Sequence, residues 1–177
     1  MRLIITTCLI TLVSCQNVSI NKPTFVDTKH FFEHEITILT EQKTGIEKYL
    51  NYGKKRDSLI IHDNVNWEKE IQVFTLIDLA KPSNSSTFIV DSSICNNQTQ
   101  INYTSREKKQ TLKTVKITKD IKDNIMVIEA VMTKTNSLYQ SYTNLRYVTD
   151  SGFSIYGKQS VKLGDDSKYH INAIFIH

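Results

Sequence analysis

The chain has 177 residues, 40% hydrophobic and 23% charged, with Gly 5 and Pro 2, a length for one domain and a composition that excludes collagen-like and low-complexity chains. Lys+Arg 22 against Asp+Glu 18 leaves +4, too mild for a surface built to neutralise nucleic-acid phosphates. With only Cys 3 there is no disulfide scaffold, and the lysine-, asparagine- and isoleucine-rich usage resembles AT-rich coding rather than a functional charge.

The N-terminus carries an address. Arg2 precedes an apolar run over residues 3–13, about half of the roughly 20 residues a spanning helix needs. A positive start, a short apolar run and a small residue at its end make a secretory signal. Leu12-Val13-Ser14-Cys15 then has the form of a bacterial lipobox. Ser14 suits a peptidase pocket for small side chains. The Cys15 thiol takes a diacylglyceryl group, and cleavage between Ser14 and Cys15 frees an amine for a further acyl chain. Two or more chains suffice for stable membrane anchoring. The expected organisation is a signal peptide over residues 1–14, a lipidated tether over 15–24 and one periplasmic domain over 25–177. Cys8 leaves with the signal and Cys15 carries lipid, so Cys95 is expected to lack an intrachain partner. No basic cluster surrounds it to lower its pKa.

Asp27 is an N-cap residue type, and Phe32, Ile36 and Leu39 follow at helical spacing, predicting a first helix that fades over residues 42–45. Residues 46–52 and 58–62, separated by Gly53-Lys54-Lys55, predict a β-hairpin. Asp63 or Asn64 is expected to cap a second helix, stopped at Lys81-Pro82-Ser83-Asn84. Trp67, Ile71 and Phe74 lie at i, i+4 and i+7 on its apolar face, with Ile77 and Leu79 beyond. From Ser86 onward the period changes to two. Successive alternating runs with turn signals between them predict an antiparallel meander of about seven strands. The run from Ile125 to Met132 is apolar on both parities and reads as a strand covered on both sides. The fold class is therefore α+β: two helices flanking a hairpin, then a curved sheet packed on the second helix. Trp67, Ile71 and Phe74 should bury against an inner set that includes Met126, Ile128, Tyr147, Ile155 and Phe175.

Few residues suggest catalysis. His30-Phe31-Phe32-Glu33-His34 matches H-x-x-E-H, in which two histidines one turn apart can hold zinc and the glutamate can act as base. Here the pair lies opposite the Phe32/Ile36/Leu39 stripe, which directs it to solvent. Glu68 and Glu70 are two apart on a helix and diverge, and Asp165-Asp166 follow a glycine as turn chemistry. No nucleophile elbow, phosphate loop or dinucleotide fingerprint is present, so no enzyme activity, metal or cofactor is expected. The tyrosines at 139, 142, 147, 156 and 169, with the two-faced apolar strands, raise another possibility. A curved sheet under helices can hold an apolar ligand, as in periplasmic lipid carriers, unless the second helix fills it.

The lipobox, the stretch from Asn66 and Trp67 to Lys81-Pro82, Ile101-Asn102-Tyr103-Thr104, Leu145-Arg146-Tyr147 and residues 152–159 together resemble small uncharacterised lipoproteins of Bacteroidota, of flavobacterial type. The resemblance implies an outer-membrane-anchored domain on the periplasmic face. Gln16-Asn17-Val18-Ser19 lacks the acidic residues that tend to mark surface export in that phylum. The expected role is a non-catalytic envelope lipoprotein that binds a partner protein or an apolar ligand, with no nucleic acid. The alternatives are a structural accessory subunit of an envelope complex and a zinc hydrolase using His30, Glu33 and His34.

Overall fold

A computed structural model describes residues 16–17, 25–162 and 164–177. The signal peptide, Ser14 and Cys15 lie outside the described residues, as does residues 18–24 of the tether.

The α+β class is as expected. Among the described residues one antiparallel sheet of ten strands runs in the order β1-β4-β5-β6-β7-β8-β9-β10-β2-β3. The meander comprises β4 (Phe88–Cys95), β5 (Gln98–Ser105), β6 (Leu112–Lys119), β7 (Ile125–Thr135), β8 (Tyr139–Val148), β9 (Gly152–Val161) and β10 (Ser167–Ile176). The hairpin β2 (Gly45–Tyr52) and β3 (Lys55–Ile61) is not a separate unit between helices. It joins the sheet through β10 and β2, which pair from Ile176↔Gly45 to Tyr169↔Tyr52. The two-residue β1 (Gln16–Asn17) pairs with β4 at the other edge. Closing residues onto the hairpin is a long-range choice that no local pattern encodes.

Turn chemistry sets the register. Asn96 and Asn97 both have positive φ (52° and 60°) between the paired Cys95 and Gln98, the backbone that a two-residue hairpin of the right twist needs. Gly152 has φ +143°, and a Cβ there would sit 2.0 Å from the Ala173 carbonyl oxygen, so only glycine lets β9 start beside β10.

The helix α1 (Thr28–Glu41) begins where Asp27 accepts a hydrogen bond from the His30 amide, satisfying one of the unpaired first-turn donors. The second helix is shorter than expected. Asn66, not Asp63 or Asn64, caps α2 (Trp67–Ile71) by accepting from the Lys69 amide. A 3₁₀ turn (Phe74–Leu76) follows, and Pro82 opens rather than blocks a further turn of helix, α3 (Pro82–Ser85). Proline suits a first helical position because its missing N–H would be unpaired there. The chain stays irregular between these turns, yet Ile77 and Leu79 are fully buried. Thr28 fastens this stretch to α1: its hydroxyl donates to the Ile77 carbonyl and accepts from the Leu79 amide at 3.2 Å.

Trp67, Ile71 and Phe74 are all buried. The indole meets Phe175 edge-on at 5.2 Å, and Phe74 meets Phe153 at 5.4 Å and Tyr147 at 5.6 Å. Ile128, Tyr147, Ile155 and Phe175 are buried as expected, but Met126 is 38% exposed. It shares the parity of Ile128 but lies at the strand's first turn of pleat, where the β6–β7 register slips between Thr118 and Lys119, beyond the helices' cover. The other face of β7 is not covered either. Val127 and Val131 are only partly buried and flank Glu129, which pairs with Arg146 and Lys116. Helices lie on one face of the sheet, and the opposite face is charged and solvated.

Candidate functional site

The helix-bearing face can be read as rows of side chains crossing the strands. Ile117, Ile128, Tyr147, Phe153, Ala173 and Lys48 are register partners in one row. Its aromatic members lie directly under α1 and the 3₁₀ turn: Phe32 meets Tyr147 at 5.3 Å. The neighbouring row, Val115, Ala130, Leu145, Ile155, Ile171 and Leu50, is buried as far as Ile155, but Leu50 is 38% exposed. In the next row, Leu112, Met132, Thr143, Gly157, Tyr169 and Tyr52, the cover ends. Met132, Thr143 and Tyr169 are only partly buried, and Tyr52 is exposed. The short α2 explains this: five residues reach across part of the sheet, where a longer helix would have roofed more of it.

A groove of about 480 Å³ opens at that boundary, within the roughly 300–1,000 Å³ of ligand pockets. Met132, Lys134, Ser141, Thr143 and Tyr169 line its sheet side, and Val73 and Leu76 its helical side. Leu76 is 60% exposed, an apolar side chain that the fold leaves without cover. A smaller space of about 200 Å³ lies over Leu50, Leu59 and Ile171 on the same face, so the apolar surface continues beyond Tyr169. Gly157 shapes the floor. A Cβ there would fall 2.2 Å from the Tyr169 ring, so the missing side chain is what lets that ring lie flat across β9.

The tyrosines divide between faces. Tyr147 is the buried anchor and Tyr169 the groove floor, whereas Tyr142 and Tyr156 meet at 6.3 Å on the solvated face. The zinc-type triad does not assemble a site: His30, Glu33 and His34 are all exposed, Glu33 lies 3.8 Å from Lys29, and no cluster of three or more metal-ligating side chains occurs among the described residues. Glu70 instead pairs with Lys48 at 2.7 Å, and Asp166 with Lys158 at 3.5 Å.

One buried acid escaped the sequence reading. Glu35 is 7% exposed and accepts a hydrogen bond from the Tyr147 hydroxyl at 2.6 Å. Burial pushes its carboxyl above the ordinary range, opposed by the Tyr147 hydrogen bond, with Asp150 adding and His34 subtracting. Burial and the adjacent carboxylate raise the Tyr147 hydroxyl as well. The signal was available: Glu35 stands three residues after Phe32 and four before Leu39, on the apolar stripe itself.

Cys95 also departs from expectation: it is disulfide-bonded. Its partner lies outside the described residues, where the sequence holds Cys8 and Cys15. Gln16 pairs with Ile94, the neighbour of Cys95.

Comparison with known protein families, characterised proteins and solved structures finds no match. The site's own chemistry is that of a partly roofed groove, apolar at Val73, Leu76 and Met132 and polar at Lys134, Ser141 and Thr143.

Proposed function

We propose that the protein is a non-catalytic envelope lipoprotein, anchored to the outer membrane through Cys15 and facing the periplasm, whose domain binds an apolar ligand in the groove beside Met132, Thr143 and Tyr169. The uncovered end of the inner sheet face carries the ligand half of this reading. A large apolar patch left open in a soluble domain marks an interaction site, and this one is recessed and walled, as small-molecule sites are. The lipobox supports the anchor half, as does the resemblance to Bacteroidota lipoproteins. A neutral apolar dye such as N-phenyl-1-naphthylamine should bind saturably at one site. Thr143→Trp, which fills the groove from β8, should weaken binding at least tenfold with the far-UV circular dichroism unchanged. Unsaturable dye binding, or equal binding by a folded Thr143→Trp protein, would overturn the ligand reading.

The Cys95 disulfide favours a second reading for the N-terminus. Cleavage before Cys15 removes Cys8, and a diacylglyceryl thioether occupies the Cys15 sulfur. A lipidated chain therefore offers Cys95 no intrachain partner. In the second reading Cys15 and Cys95 are bonded and the domain is exported without lipid. The second reading requires an oxidising compartment. Non-reducing peptide mapping of protein from the native envelope separates them: an acylated N-terminal Cys15 peptide supports the anchor, and a Cys15–Cys95 cross-linked peptide removes it.

A further inference from the structure

Resting on the groove reading above, we propose that the groove's occupant is a single-chain amphiphile of the fatty-acid class. Its tail lies on Val73, Leu76, Met132 and Tyr169, and its carboxylate meets Lys134.

The rows of the sheet grade in polarity along the strands. The row containing Leu145 and Ile155 is apolar and, from Val115 to Ile155, buried under the helices. The next, containing Met132 and Tyr169, is apolar and half-open. One step further the register partners are Lys134, Ser141, Gln159 and Ser167, all polar. A molecule lying along the strands from the covered end to the open end therefore meets hydrocarbon first and hydrogen-bonding groups last. That order fits an amphiphile with its tail inward and its head at the rim. A wholly apolar ligand would leave its outer end against polar side chains.

The charge pattern selects the head. Among the described residues no acidic side chain lines the groove, and Lys134 is its one cationic lining residue. Lys134 enters no ion pair among the described residues, whereas Lys48, on the same face beyond Tyr169, is already held by Glu70 at 2.7 Å. A lysine is a mobile point charge with three donors, suited to a carboxylate that arrives with some freedom. The hydroxyls of Ser141 and Thr143 stand on the facing strand and can donate further hydrogen bonds to the same head.

Displacement of the neutral dye by laurate and by methyl laurate tests this, since the two share a tail and differ in charge. The native protein should bind laurate about fivefold more tightly than the ester, the scale of an exposed ion pair, and 1 M salt should shrink the difference through screening. Lys134→Gln should equalise the two ligands, and Lys134→Arg should keep the preference. If dye binds normally but the native protein does not distinguish laurate from its ester, or Lys134→Gln keeps the distinction, the head-group assignment fails and the groove stands. If the dye does not bind at all, both fail.

Discussion

Tyr147→Phe isolates the buried side-chain contact between α1 and β8. The substitution removes a hydroxyl but leaves the ring among Phe31, Phe32, Phe74 and Phe175, all within 6.1 Å by centroid. What it deletes is the 2.6 Å donor to Glu35, whose carboxyl is then buried without that partner. A hydrogen bond to a charged group contributes about 1.5–3 kcal/mol, and one to a neutral group about 0.5–1.5 kcal/mol. The loss should therefore depend on the ionisation of Glu35. Its folded pKa is raised above the ordinary 4.5, so between those two values the folded state holds the extra proton and stability falls as pH rises. Its contribution is most favourable below pH 4.5 and is lost as pH climbs through the folded value. The Tyr147 hydrogen bond moderates this by favouring the carboxylate, and the raised hydroxyl pKa keeps the donor protonated throughout. Urea unfolding of Tyr147→Phe should accordingly show a destabilisation of about 1 kcal/mol at pH 4, growing to about 2–3 kcal/mol at pH 8–9. Glu35→Gln, which keeps an acceptor without a charge, should flatten the part of the pH profile that Glu35 supplies. A destabilisation by Tyr147→Phe that is the same at both pH values, or a Glu35→Gln profile identical to the native one, would refute the reasoning.

Two further substitutions test the frame. Trp67→Ala removes an indole that is 2% exposed and should cost roughly 3–5 kcal/mol in denaturant unfolding; the native emission should be blue-shifted, and a maximum typical of exposed indole would contradict the burial. Gly152→Ala forces a side chain into a φ of +143° and against the Ala173 carbonyl, so it should lower stability by roughly 3 kcal/mol or more; a change within 0.5 kcal/mol, in the range of ordinary surface substitutions, would mean β9 starts differently.

Much of the local structure is legible because it rests on short-range physics. The α1 cap at Asp27, the stripe through Phe32 and Leu39, the alternation in the seven meander strands and the Asn96-Asn97 turn each depend on neighbours a few residues away. The burial of Trp67, Ile71 and Phe74 follows from their spacing even though α2 ends at Ile71, because a 3₁₀ turn keeps Phe74 on the same side. Glu33 matches a motif and is exposed, while Glu35 stands on the apolar stripe and is buried. Its burial depends on a tyrosine hydroxyl 112 residues away, and only tertiary structure supplies that acceptor's donor. The groove is of the same kind. Met132, Thr143, Gly157 and Tyr169 are unremarkable in sequence, and they become a row only when four strands adopt one register. Whether that row is roofed is decided by where α2 stops. The sequence by itself determined the α+β class and most of the core residues, Met126 excepted, since periodicity and local motif chemistry are properties of adjacent residues. The joining of the hairpin to β10, the buried Glu35–Tyr147 pair, the disulfide at Cys95 and the open end of the inner face were decided by the tertiary structure, because each is a contact between segments whose separation along the chain carries no local signal.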